Sequence, residues 1–252
     1  MSIAIEPRRA LVIGAKEPVP GTVKTRLGRT IGDARAAALY RAFLADIAAR
    51  FRPTATASGA ARGYDVLWAF APATADFPAL VGAADGYFAQ QGADWTERQQ
   101  QIFRWTAAHG YDRTVLIASD SPQLPARTVS AAFAALDASM AVLVPTYDGG
   151  YSLIGQRGGV DILGVVPMST TTVYDDLRAN ARARRITLHS LAVTWDVDEV
   201  GDFQYLSTYL AGPHDAPATA AAVRHLRLWE DAAPRSFVPR PDDRLSAAGG
   251  ED

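Results

Sequence analysis

The feature that most constrains the fold of this chain is a repeated change of period. Short apolar runs of strand length alternate with segments whose apolar residues recur at helical spacing. Ala10-Leu-Val-Ile-Gly14 reads as a buried first strand closed by glycine. Asp65–Phe70, Thr114–Ala118, Ala141–Val144 and Tyr151–Ile154 have the same character, and Tyr87–Ala89 is a shorter version. Between them Leu39, Phe43, Ile47 and Phe51 follow one another four residues apart, which lays one apolar stripe along a helix that Asp33 can cap after Gly32. Thr96–His109, Arg127–Leu136, Thr172–Arg184 and Val200–Leu210 read as helices, Ile186–Leu191 as extended chain, and Ala216–Asp231 as one more helix outside the main pattern. Lys16–Thr30, Pro53–Gly63 and Pro72–Asp85 read as loops or irregular chain, on their prolines, glycines and small residues. Alternation of this kind predicts an α/β fold with a mostly parallel sheet covered by helices on both faces.

The 252 residues suit one such domain over 1–233, with a tail, 234–252, whose Pro, Arg, Asp and Gly content predicts disorder. Basic and acidic residues nearly balance at 25 and 27, so neither nucleic acid nor an anionic membrane surface is attracted at long range, and any anion site must be local. Cysteine is absent, which excludes disulfides, thiolate catalysis and zinc–thiolate sites. No apolar run approaches the roughly 18 residues of a membrane span, and Met1–Arg9 lacks the apolar core of a signal peptide, so the expected location is cytoplasmic. The four histidines are scattered and lie in no motif. Oligomeric state is open, and a homodimer is compatible with the sequence.

Four motifs carry chemistry. Lys16-Glu-Pro-Val-Pro-Gly21-Thr-Val-Lys24-Thr25-Arg26-Leu27 follows the first strand, where open α/β sheets bind ligands. Its cations and the backbone freed by Gly21 suit a polyphosphate, with Arg26 able to fork onto two oxygens; a solvated basic loop is an equal reading of this motif alone. Asp120, in Ser119-Asp120-Ser121-Pro122 beyond the strand Thr114–Ala118, can hold a divalent cation or, more simply, cap the next helix. In Trp195-Asp196-Val197-Asp198 an extended chain puts both aspartates on one side, which favours a cation between them; Asp198 is also a natural helix N-cap, with Asp202 in the first turn. Asp148-Gly149-Gly150 is a hairpin turn signal, and it also lets backbone approach a substrate closely while Asp148 orients an acceptor or a ribose.

In this order the motifs resemble the radical-SAM/selenodomain-associated transferase family 1, over about residues 10 to 210, and more distantly 2-phospho-L-lactate guanylyltransferase and other nucleotidyltransferases. The resemblance implies a three-layer, Rossmann-like glycosyltransferase A (nucleotide-diphospho-sugar transferase) fold. It implies that Lys16, Gly21, Thr25 and Ser119, with Asp148, Gly149 and Gly150, bind substrate, that Lys24, Arg26 and Asp120 are catalytic, and that Asp120 and Asp198 hold Mg²⁺ or Mn²⁺. The expected reaction joins an NMP from NTP to a small phosphorylated or hydroxylated acceptor with release of pyrophosphate. A glycosyltransferase using a nucleotide-diphospho-sugar is the alternative, and a non-catalytic nucleotide-binding module the third reading. The chain departs from the family at Trp95-Thr96, where Leu-Gly is usual, and at Met168, where tryptophan is usual; both positions bear on the acceptor.

Overall fold

The computed structural model of the protein describes residues 8–53, 63–164, 166–168 and 170–228. Seven strands form one sheet: β1 (Arg9–Lys16), β2 (Asp65–Ala71), β3 (Gly86–Ala89), β4 (Arg113–Ala118), β5 (Ala141–Pro145), β6 (Tyr151–Arg157) and β7 (Leu188–Ser190), in the order β3-β2-β1-β4-β6-β5-β7. All pairings are parallel except those of β6, which runs against both β4 and β5. The Asp148-Gly149-Gly150 turn explains that reversal, because it returns the chain directly as a hairpin, whereas parallel neighbours need a crossover.

Alternation along the strands sorts the core into two layers. Leu11, Ile13, Val115, Ile117, Val142 and Val144 point to one face. There they meet α1 (Thr25–Ile31), α2 (Asp33–Arg50), α3 (Phe77–Val81), α5 (Ala126–Ala138), α7 (Phe203–Ala211) and α8 (Pro217–His225). Ala10, Val12, Leu116 and Leu143 point to the other face, against α4 (Trp95–Ala108) and α6 (Val173–Ala183). The three-layer fold read from the sequence is the fold observed, and the stripe Leu39, Phe43, Ile47 and Phe51 is fully buried.

The differences are local. The second half of the Lys16–Thr30 loop is helical, as α1, and α3 interrupts the irregular stretch Pro72–Asp85. Asp33 is the first residue of α2 and gives it no side-chain cap; Gly32 stands at that position. Most of Pro53–Gly63 and the tail 234–252 lie outside the described residues. Among the described residues no helix is long and apolar enough to cross a membrane.

A buried carboxylate takes part in the docking of α8. Asp46, inside α2, accepts hydrogen bonds from the amides of Ala218 and Thr219 at 2.9 and 2.7 Å and from the Thr219 hydroxyl at 2.6 Å. It therefore caps a helix distant in sequence, satisfying donors that the first turn of α8 leaves open. Asp46→Ala is expected to lower stability by about 2–3 kcal/mol, because two buried amides and a hydroxyl lose their acceptor. Thermal unfolding should show a midpoint lower by roughly 5–10 °C; an unchanged midpoint would mean that packing and the contacts of Arg35 and Arg50 hold α8 without this cap.

Candidate functional site

The sheet order reverses at β1, whose neighbours β2 and β4 carry the chain to opposite sides. A crevice opens there beyond the strands' carboxyl ends. Lys16 ends β1, and Ser119 and Asp120 follow β4 directly. The segment after β7 is drawn to the same place: Thr194 bridges to Thr146, and the Val197 amide approaches the Asp120 carbonyl at 3.4 Å.

Lys24 ties these segments together. Its φ of 47° and ψ of 44° are left-handed, uncommon for a residue with a side chain. Its ammonium, 6% exposed, donates to Asp120 Oδ2 at 2.9 Å and to Asp198 Oδ1 at 2.7 Å. Arg26 stands 3.6 Å from the second oxygen of Asp198. Burial by itself would push the Lys24 ammonium down, but Asp120 and Asp198 more than reverse this and hold it above the ordinary lysine range. The same charge, helped by Arg26, keeps the Asp198 carboxyl below its ordinary value. Asp196 is the opposite case. Burial, and then the charges of Asp120, Asp198 and Asp148, push its carboxyl up to about 8.

The helix-capping readings of the two aspartates do not hold. Asp120 faces Lys24, and α5 has Pro125 at its N-cap. The turn before α7 is capped by Glu199 in a reciprocal box with Asp202, whose Oδ2 accepts from the amides of Asp198 and Glu199 at 2.8 Å each. The capping work falls one residue later than the sequence suggested, which leaves the Asp198 side chain free to face Lys24.

Two adjoining cavities share this corner. The first, about 580 Å³, is lined by Lys16, Thr25, Ser119 and Asp120 among others, and carries the cations Lys16, Lys24, Arg26 and Arg98. The second, about 510 Å³, contains Asp148, Gly150, Met168 and Tyr205. Arg26, Trp95, Tyr151, Asp196 and Asp198 line both. The residues expected from sequence therefore divide. Lys16, Lys24, Thr25, Arg26, Ser119, Asp120 and Asp198 gather in the first cavity, and Asp148 and Gly150 belong to the second. Gly21 and Gly149 line neither, and their φ values of 78° and 88° are left-handed. Trp95 lines both cavities and Met168 the second.

Tyr40, Gln90 and Arg98 were not legible as site residues. Tyr40 is buried beside the apolar stripe of α2, where its hydroxyl accepts from the Lys16 amide at 3.1 Å and contacts Ser119 Oγ at 2.6 Å. A tyrosine beside a core stripe carries no distinguishing mark in sequence.

Among the described residues, no three acidic or histidine side chains are grouped closely enough to enclose a metal by themselves. Asp120 and Asp198 nonetheless converge on one cation, and Mg²⁺ is commonly held by one or two carboxylates, with substrate phosphates and water completing its shell. The residues present therefore fit a metal shared with a bound phosphate group.

Residues 54–170 match a family described as uncharacterized proteins conserved in bacteria (DUF2064). The chain is 31% identical to a candidate nucleotide-diphospho-sugar transferase from Desulfovibrio desulfuricans G20, over 90% of this chain and 98% of that one, with a TM-score of 0.79. It shares its fold with 4-diphosphocytidyl-2C-methyl-D-erythritol synthase from Anaerococcus prevotii DSM 20548, at 9% identity, 82% and 99% coverage and a TM-score of 0.51. A nucleotidyl transferase, Mth528 from Methanothermobacter, is similar at 12% identity, 79% and 95% coverage and a TM-score of 0.50. No curated protein matches the sequence.

Gly149 packs the β5–β6 turn closely against the segment that leads into α6. A Cβ there would lie 1.9 Å from the Thr171 carbonyl oxygen, and the Gly149 carbonyl accepts from the Tyr174 amide at 2.9 Å. Gly158 also has a positive φ, 65°, but faces open space. Gly158→Ala should then cost about 1 kcal/mol for the backbone conformation alone, and Gly149→Ala on the order of 4 kcal/mol because the collision adds to it. Denaturant unfolding of the two variants tests this; equal losses would show that the approach to Thr171 is not needed.

Proposed function

The chain belongs to the DUF2064 family, and on that premise we propose that it is a nucleotide-dependent transferase, a metal-dependent nucleotidyltransferase that joins an NMP from NTP to a small acceptor. The observation that carries this reading is the Lys24 ammonium held between Asp120 and Asp198 in a cavity that also contains Lys16, Arg26 and Arg98. Four cations gathered in one cavity, two of them beside the pair Asp120 and Asp198 and with Asp94 and Asp196 also in the lining, suit a polyphosphate bound together with a metal.

In this reading Lys16, Thr25, Arg26 and the backbone around Gly21 bind the triphosphate. Lys24 and Arg26 offset the charge that develops as the bond between the α-phosphorus and its bridging oxygen breaks and pyrophosphate leaves. The acceptor oxygen forms the new bond from the side of the second cavity, and Asp196, at the junction, is placed to take a hydroxyl proton. Mg²⁺ held by Asp120 and Asp198 would neutralise phosphate charge. Little covalent chemistry is asked of the protein; alignment and charge account for the rate.

A second reading, transfer of a sugar from a nucleotide-diphospho-sugar, is favoured by the description of the Desulfovibrio protein. It asks less of the cation cluster, since the donor has one phosphate fewer. Parallel assays separate the two. Pyrophosphate release from NTP is expected, with Arg26→Ala slower by on the order of 10²-fold, as for loss of a charge-stabilising donor, and Asp120→Asn inactive but folded. NDP release from nucleotide sugars without NTP turnover, unaffected by Arg26→Ala, would make the second reading correct.

The Lys24 bridge adds a prediction about the metal. The ammonium stands where Asp120 and Asp198 would hold a cation, so the two compete. Lys24→Met should bind Mn²⁺ more tightly than the parent protein when no nucleotide is present, while turnover falls. Calorimetry measures the first effect, and weaker Mn²⁺ binding in the variant would argue against a metal at these carboxylates.

A further inference from the structure

We propose that the second cavity is an acceptor site for an uncharged polyhydroxy molecule of the sugar or polyol class, and that it discriminates against acceptors bearing phosphate or carboxylate groups. The proposal rests on the transferase reading and names the class of its acceptor.

Charge excludes anions. Asp148, Asp196, Asp198, Glu199 and Asp202 line this cavity, and among the described residues Arg26 is its one cation. Arg26 already lies beside Asp198 and borders the first cavity, so it is shared with the donor. An anionic acceptor would bring like charge against several carboxylates with no second cation to receive it. Ionised carboxylates only accept hydrogen bonds, so a ligand must arrive with donors.

Two of those carboxylates are held by neighbouring donors on one oxygen, and among the described residues the other oxygen takes no hydrogen bond. Asp148 takes the Thr146 hydroxyl at 2.5 Å and the Gly150 amide at 3.0 Å, both on Oδ1. Asp202 takes two amides, both on Oδ2. Each is thereby fixed while its other oxygen remains available to a hydroxyl, in a charge-assisted bond whose geometry is set beforehand.

The aromatic residues decide between a polyol and an organic cation. Tyr147 stacks on Tyr205 at 5.5 Å and 28°, and Trp195 on the same ring at 6.1 Å and 22°. Tyr147 is 49% exposed, more than its place in a closed core would allow. Tyr147 and Trp195 are thus each stacked on Tyr205 rather than turned edge-on to it, which makes a stacked platform. A cage for a cation instead turns ring faces toward one centre. A platform beside fixed hydroxyl acceptors matches a molecule with an apolar C–H face and hydroxyls around its rim.

Matched pairs test the idea on the full chain: glycerol and glycerol 3-phosphate, ribose and ribose 5-phosphate, glucose and glucose 6-phosphate. Saturation-transfer NMR is recorded for each, with Mg²⁺ and a non-hydrolysable NTP analogue present, and nucleotide binding is measured on the same samples. At least one neutral member should bind roughly ten-fold or more tightly than its phosphate ester. Tyr147→Ala and Tyr205→Ala should each remove that binding without changing nucleotide affinity; Tyr147, being exposed, can be cut back without opening the core. Preference for the phosphate esters, ten-fold preference for ethanolamine over ethylene glycol, or silence from every neutral compound would overturn the proposal. Absence of nucleotide binding would instead refute the transferase reading, so the two failures are distinguishable.

Discussion

A buried ammonium between two carboxylates organises this molecule. Lys24 comes from the loop after β1, Asp120 from the end of β4, and Asp198 from the segment after β7. These segments are far apart in sequence, and only a sheet that places the ends of its strands side by side can bring them into one contact. Leaving the Lys24 ammonium unpaired at 6% exposure would be unfavourable, so the bridge holds the loop, the strand end and the last crossover in register with each other. The left-handed backbone at Lys24 is part of the arrangement, because conformational strain of this kind persists only where surrounding contacts fix it.

From that corner the two cavities differ in their cations. The first sets Lys16, Lys24, Arg26 and Arg98 beside four aspartates, whereas the second joins carboxylates and aromatic rings to Arg26 alone among the described residues. Net charge near zero conceals the difference entirely. A transferase has to hold a highly charged donor against an acceptor without letting either occupy the other's place, and unequal linings serve that by repulsion as much as by attraction. Trp95 and Tyr151, which border both cavities, are anchored from elsewhere: the Tyr151 hydroxyl donates to buried Gln99 at 2.8 Å, and Trp95 opens α4 directly after the capping residue Asp94.

The layers and the strands were legible in the sequence because burial leaves a periodic trace. Val115 and Ile117 facing one layer while Leu116 faces the other is the alternation that a reader of sequence relies on. The basic loop, Asp120 and Asp198 were legible for a different reason, their places at the ends of strands. What escaped reading was long-range pairing. Asp46 looks like a polar flaw in a helix until α8 is known to dock above it. The choice of Glu199 over Asp198 as the cap was invisible because both residue types can cap, and only the pull of Lys24 separates them. The platform of Tyr147, Trp195 and Tyr205 unites three separate stretches of chain, and no local pattern announces it.

The β5–β6 hairpin has a consequence for how this scaffold can diversify. Its register is locked at both ends. At the turn, Gly149 leaves no room beside Thr171, and along the strands a Cβ on Gly155 would stand 2.6 Å from Val142. A single inserted residue would turn every following side chain of β6 to the opposite layer and carry the turn away from the aromatic residues. Lineages of this fold are therefore free to retune the second cavity by exchanging side chains such as Met168 or Tyr147, while changes of length in the hairpin are closed to them. Divergence on that side of the molecule should be written in substitutions, with its gaps falling elsewhere.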